Sequence, residues 1–135
     1  MNDQALIAAA ASMLPFAYAP YSNFPVGAAL LSSDGRLFLG CNVESAAFTS
    51  ICAERVALVR GISEGARCFS TLAVISQSDQ FCTPCGICRQ MLFEFAPDLR
   101  VLCARANGEA KEYTLKALLP DGFGPANLSL SLKKE

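Results

Sequence analysis

The segment Pro84-Cys85-Gly86-Ile87-Cys88 places two thiols three positions apart, just where helix-forming residues begin. On a helical turn, positions i and i+3 share a face, so the two sulfurs can converge on one ion. Free N–H groups and the positive dipole end at a helix start also favour thiolates. Taken alone, this spacing is compatible with structural zinc, a redox dithiol or chance. Upstream, Cys52-Ala53-Glu54-Arg55 opens another helix-forming stretch. Residues two apart normally point to different sides of a helix. In a first turn, however, side chains tilt toward the N-terminal end, so Cys52 and Glu54 can both address a centre lying beyond it. A third thiolate and a carboxylate would then flank one metal, and Glu54 need not be a ligand: it is also available as a proton carrier.

That second role matters because the 135 residues contain no histidine. A Ser-His-Asp triad, a Cys-His dyad, an HExxH metal helix and any imidazole acid or base are therefore excluded. The cysteines are Cys41, Cys52, Cys68, Cys82, Cys85, Cys88 and Cys103. Their odd number suits a reducing compartment better than a disulfide framework. The apolar run Ala5 to Ala11 and the Ala17-Tyr18-Ala19 triplet imitate a secretory signal, but Asp3 is the only charge there and the first basic residue is Arg36. The basic start of a signal peptide is missing, and no apolar run reaches the ~18 residues of a membrane span. The expected setting is cytoplasmic, without membrane contact. With 53% apolar and 17% charged residues, the chain reads as one folded domain over residues 1–135. A net charge of −1, with Lys133-Lys134 as the basic pair at the tail, provides no footprint for nucleic acid.

The elements that must hold these residues follow from periodicity. Leu6, Ala9, Ala10, Met13 and Leu14 recur at helical spacing between Gln4 and Ala17, and Pro20 closes that segment. Val26 to Leu31 and Arg36 to Gly40 flank Ser33-Asp34-Gly35, a hairpin signature. Asn42 to Ser50 is polar and aperiodic, so a loop is expected. Cys52 to Glu64 predicts a helix with Gly65 just past its end. Phe69 to Ser76 and Leu99 to Ala104 are nearly continuous apolar runs, hence strands covered on both faces. Cys85 to Phe95 predicts a helix, Glu109 to Tyr113 a strand after Asn107-Gly108, and Thr114 to Leu119 a short helix stopped by Pro120. This order predicts an α/β layered domain with a mixed sheet.

Cys52-x-Glu54 followed by Pro84-Cys85-x-x-Cys88 resembles the zinc deaminase signature with Cys in place of its first His. The resemblance extends in matching order through Ala19-Pro20-Tyr21-Ser22-Asn23-Phe24-Pro25-Val26-Gly27-Ala28-Ala29-Leu30, Gly40-Cys41-Asn42-Val43-Glu44, Arg89-Gln90, Leu118-Leu119-Pro120 and Phe123-Gly124-Pro125. Together these blocks look like the small, homotetrameric cytidine deaminases, from about Tyr18 to Leu128. The resemblance implies a three-layer domain with a mixed five-stranded sheet between helices. It implies that Cys52, Cys85 and Cys88 hold one Zn²⁺ per subunit and leave a fourth position for water. Glu54 would move protons from that water to N3 and then to the leaving amino group, as C4 of a cytosine ring is attacked and uracil and ammonia form. Asn42 and Glu44 match ribose-binding positions and Phe24 the residue stacked on the base. Ala46 matches a further substrate-binding position, and the backbone at Ala53 and around Thr83 one that reads the ring edge. Phe123 matches an aromatic supplied by a neighbouring subunit, which implies a homotetramer with shared active sites.

Three thiolates and one Zn²⁺ carry a net charge of −1, which weakens the metal as a Lewis acid. Two helix starts and Arg55, which matches an arginine that donates to one or two of the family's thiolates, would offset it. The substrate expected is a single cytosine nucleoside, cytidine or deoxycytidine, in pyrimidine salvage. Ser45 stands where the family carries a second Asn, Phe48 about where Tyr is common, and the stretch to Cys52 is shorter, so a modified cytosine nucleoside such as a nucleoside antibiotic is the alternative substrate. Plainer readings of the same residues are core cysteines for Cys41, Cys68 and Cys103, core aromatics for Phe24 and Phe123, turn residues for Asn42 and Glu44, and surface charges for Glu54 and Arg55. Cys82-x-x-Cys85-x-x-Cys88 also imitates an iron–sulfur run, which Leu92 breaks. A closed four-ligand zinc module including Cys82 would be purely structural.

Overall fold

A computed structural model describes residues 1–129. Lys133 and Lys134 lie outside the described residues. In chain order the elements are α1 (Asp3–Ala11), β1 (Val26–Ser32), β2 (Leu37–Cys41), α2 (Ala53–Ser63), β3 (Phe69–Ser76), α3 (Gly86–Phe95), β4 (Arg100–Ala104), β5 (Ala110–Thr114) and α4 (Leu115–Leu118). Short 3₁₀ turns cover Leu14–Phe16 and Pro125–Leu128. The strands form one five-stranded sheet in the order β2-β1-β3-β4-β5. Only β3 and β4 run parallel, with Leu72 opposite Val101 and Val74 opposite Cys103; the other pairs are antiparallel. The expected mixed sheet between helices is the architecture found.

Alternation along the inner strands explains the layers. Ala28 and Leu30, Leu72 and Val74, Val101 and Cys103 all turn to one face, where they pack with Ala53, Ala57, Leu58 and Leu92 from α2 and α3. Ala29, Ala73, Ile75, Leu102 and Ala104 turn to the other, under Leu6, Ile7 and Ala10 of α1. A fully buried leucine contributes roughly 1.5–3 kcal/mol, so Leu30, Leu58, Leu72 and Leu92 anchor the side that carries the thiols. One glycine sets the approach of α2. A Cβ at Gly40 would lie 2.3 Å from the Ala53 carbonyl oxygen and 2.7 Å from the Ala57 nitrogen, so only glycine lets the first turns of α2 sit on β2.

Several boundaries differ from expectation. The first helix ends at Ala11 rather than Ala17, because the chain tightens into a 3₁₀ turn with Pro15 inside it. Cys52 and Cys85 are not inside their helices but are the extended cap residues before them. The loop after β2 is partly ordered by bridges of Val43 to Tyr18 and to Ile51. Cys103 is buried in the core, whereas Cys41 and Cys68 are only half-buried, each lying at an end of a strand or beside one.

Candidate metal centre and active site

The starts of α2 and α3 meet at one point. Cys52 Sγ lies 3.7 Å from Cys85 Sγ, and Cys85 Sγ lies 3.5 Å from Cys88 Sγ. All three sulfurs lie within 4.8 Å of one another, the only such cluster among the described residues. A tetrahedral zinc with ~2.3 Å Zn–S bonds separates its sulfurs by roughly 3.8 Å. The spacing and the soft donors therefore fit zinc, and three ligands leave one position open. Cys82 is not part of this cluster, so neither the iron–sulfur reading nor the closed four-cysteine reading survives. Cys82 instead hangs half-buried at the cavity wall, where burial pushes its thiol up to about 12.

Extended caps explain the convergence better than helical spacing does. With Cys52 and Cys85 outside the first turn, neither sulfur caps a backbone N–H, and both helix starts point their free N–H groups toward the cluster. In the metal-free protein the Cys52 thiol is pushed down to about 5, chiefly through hydrogen bonding with the Cys88 thiol, with Arg55 adding to the effect. The Cys88 thiol moves the opposite way for the same reason and because it is buried. Arg55 Nη2 donates to Cys52 Sγ at 3.6 Å and to the Ser50 carbonyl at 3.1 Å. Its Nε is buried with no hydrogen-bond partner, an unfilled donor beside the thiols.

Glu54, in the first turn of α2, is 4% exposed, so it is no surface carboxylate. Burial pushes its pKa up to about 7, opposed by its own backbone N–H and by Arg55, and reinforced by the negative charge on Cys52. It lines an open cavity of about 430 Å³ together with Cys52, Cys82, Thr83 and Cys85. Phe24, Asn42, Glu44 and Ala53 line the same cavity. Phe24 is 46% exposed, which removes the core reading for it. Asn42 is buried and stitches the strand entry: its Nδ2 donates to the Phe24 carbonyl and its Oδ1 accepts from the Val26 N–H, each at 2.9 Å. Glu44 Oε1 accepts from the Tyr21 and Ser22 N–H groups at 3.0 and 3.1 Å, and the Ser22 hydroxyl donates to Oε2. Led by the Ser22 hydroxyl, these bonds hold the Glu44 carboxyl below the usual range.

Ala46, expected to meet substrate, lies exposed in the turn after Glu44 and does not line this cavity. Phe123, expected to serve a neighbouring subunit, is 55% exposed and lies outside this cavity, its carbonyl accepting from Gln90 Nε2 at 2.7 Å. Residues singled out by no sequence argument also line the cavity, namely Ser22, Val26, Ser50 and Ile51. Ser22 had a legible signal: a serine two residues before Phe24, the spacing at which a hydroxyl accepts from a backbone N–H. A side cavity of about 290 Å³, between Tyr21 and Phe48, shares Ser22, Glu44 and Ser50 with the main one.

Residues 1–104 match the family described as the cytidine and deoxycytidylate deaminase zinc-binding region. A cytidine deaminase of Sporosarcina psychrophila is 40% identical across 99% of this chain and 100% of its own length. One from Halalkalibacterium halodurans is 42% identical across 91% of this chain and 95% of its own. The crystal structure of cytidine deaminase from Burkholderia pseudomallei superimposes with a TM-score of 0.87 at 42% identity, covering 91% of this chain and all of that one. Sequence and fold thus agree over nearly the whole length, and the stretch they share contains both helix starts that bring the thiols together. On that ground the chain belongs to the cytidine and deoxycytidylate deaminase zinc-binding family.

Proposed function

We propose that the protein is a zinc-dependent cytidine deaminase that hydrolyses cytidine and deoxycytidine to uridine and deoxyuridine and releases ammonia. The observation that carries this reading is the placement of Glu54, a buried carboxyl with a pKa of about 7, on the wall of a nucleoside-sized cavity beside three converging thiols. Cys52, Cys85 and Cys88 would hold the zinc, which would supply Lewis-acid activation of a water. Glu54 accepts one proton from that water and passes it to ring N3. It then accepts the second and passes it to the departing amino nitrogen, so the ring gains a carbonyl oxygen and ammonia leaves. A carboxyl that titrates near neutrality can perform both transfers without a strong bias either way.

In this reading Arg55 and the two helix starts offset the excess negative charge of the three thiolates. Phe24 offers a ring face to the base, and Asn42 and Glu44 address the sugar. The Ala53 and Thr83 backbones meet the ring edge. Ala46 and Phe123, which lie outside this chain's own cavity, serve the cavity of a neighbouring subunit in a homotetramer. The exposed aromatic rings of Phe48 and Phe123 support that assembly. The odd count of seven cysteines supports a cytoplasmic setting, and no helix among the described residues is long and apolar enough to cross a membrane.

The test is a screen of cytidine, deoxycytidine, modified cytosine nucleosides and a cytosine-containing oligonucleotide for ammonia release, with zinc quantified on the same sample. Turnover of the first two with one zinc per chain is expected. Zinc at that ratio with no ammonia from either would overturn the reading.

A further inference from the structure

Glu44 reaches the cavity with most of its hydrogen-bonding capacity already in use. Each carboxylate oxygen accepts about two hydrogen bonds. Oε1 takes both of its bonds from the Tyr21 and Ser22 N–H groups, while Oε2 takes one from the Ser22 hydroxyl. One acceptor site on Oε2 is left. The same Ser22 oxygen accepts from the Phe24 N–H at 3.1 Å. Asn42 Nδ2 donates to the carbonyl of that residue. Phe24 is therefore held at both its backbone polar groups by side chains, and one of those side chains also holds Glu44.

We propose that Ser22 is a positioning residue for nucleoside recognition: its hydroxyl fixes the Glu44 carboxylate so that a single acceptor faces one sugar hydroxyl, and ties that acceptor to Phe24. The backbone bonds to Oε1 anchor one oxygen only, and the carboxylate plane can turn about that anchor. Ser22 stops the turning by holding the second oxygen. Without it, Oε2 gains a second free lone pair and loses its direction, so binding a hydroxyl must first order the carboxylate. The Phe24 N–H lies in an exposed loop, so water can replace Ser22 there at little cost. Glu54 and the three thiols sit at the starts of α2 and α3, and none of them is hydrogen-bonded to Ser22. Loss of the hydroxyl should therefore weaken binding of the sugar and leave the chemical step alone.

This inference rests on the deaminase reading. Cytidine turnover by the unaltered protein tests that reading, and the variants test only Ser22. The experiment compares the parent, S22A and S22T on cytidine and on 2′,3′-dideoxycytidine, with zinc content and thermal midpoint measured for each. S22A should raise KM for cytidine about tenfold, the weight of one hydrogen bond to a charged group, with kcat within about twofold. On the dideoxynucleoside, whose sugar lacks the 2′- and 3′-hydroxyls that Glu44 is inferred to accept from and keeps only the 5′-hydroxyl, KM should change less than about twofold on the same reasoning. S22T keeps the hydroxyl and should restore the parent values. An E44Q and S22A/E44Q pair completes a double-mutant cycle, and there S22A should add little to E44Q. An unchanged cytidine KM in S22A, an equal rise on both substrates, a fall in kcat instead, or additive effects in the cycle would each overturn the proposal.

Discussion

Glu54, on the floor of the cavity, is 4% exposed and Cys88, whose sulfur lies beside that of the lining Cys85, is 0% exposed, whereas Phe24 at the cavity mouth is 46% exposed and Phe48 beyond it 83%. The floor is made of helix starts whose other ends are packed into the core through Leu58 and Leu92. The mouth is made of the chain before β1 and after β2, and it includes non-glycine residues at positive φ, Asn23 at 55° and Phe48 at 60°. Side chains bonded to backbone hold that region, with Asn42 and Ser22 on Phe24 and Glu44 on Tyr21 and Ser22. In the proposed mechanism each task resides in a different region. Proton transfer and metal binding would come from helix starts packed into the core. Recognition of the nucleoside would come from loops that can vary without unfolding the site.

Four substitutions or conditions test this contrast. The largest effect is expected on the floor: Cys88→Ala should strip zinc and lower turnover more than about a hundredfold, since even supporting partners of metal ligands cost up to that much. Metal analysis with activity on the same sample checks it, and retained zinc would break the contrast. Gly40→Ala forces a Cβ into the Ala53 carbonyl and should cost about 3 kcal/mol, read by chemical denaturation, with zinc affinity falling alongside.

The third concerns pH in the metal-stripped protein. Glu54 has a folded pKa of about 7 against an ordinary 4.5. Between those values the unfolded chain has released the proton while the folded protein still holds it, so this group's contribution falls as pH rises through that window and stays low above it. The span corresponds to about 3 kcal/mol. Cys52 and Cys88 titrate too, so the quantity to measure is the difference between the parent and Glu54→Gln. The variant should match the parent near pH 4 and exceed it in stability at pH 8; equal stability at both would show that Glu54 is not desolvated. The smallest effect belongs to the mouth. Phe24→Ala should raise KM about tenfold, the lower range for stacking on a base, with zinc, stability and kcat close to the parent's.

Much of this was legible in the sequence, for identifiable reasons. The order of elements followed from period-2 and helical periodicities, and β3 was read at its observed ends because Phe69 to Ser76 is apolar on both faces. The convergence of Cys52 with Cys85 and Cys88 was legible because all three stand at helix starts. What escaped depended on contacts distant in the chain. Nothing local in Asn42 or Glu44 announces that their side chains are bonded to the backbone of residues 21–26. The cap positions of Cys52 and Cys85 escaped because a one-residue shift at a helix end leaves the periodicity unchanged. Ala46, expected to meet substrate, does not line the cavity of its own chain, because the turn after Glu44 leaves it exposed.

In the proposed mechanism Glu54 carries the protons while the thiols carry the metal. The direct test is Glu54→Gln, assayed for bound zinc and for ammonia release from cytidine on one preparation. Zinc should remain at one per chain while kcat falls about 10²–10⁴-fold, the usual weight of a general acid–base group. Near-parental turnover with zinc bound would contradict the account.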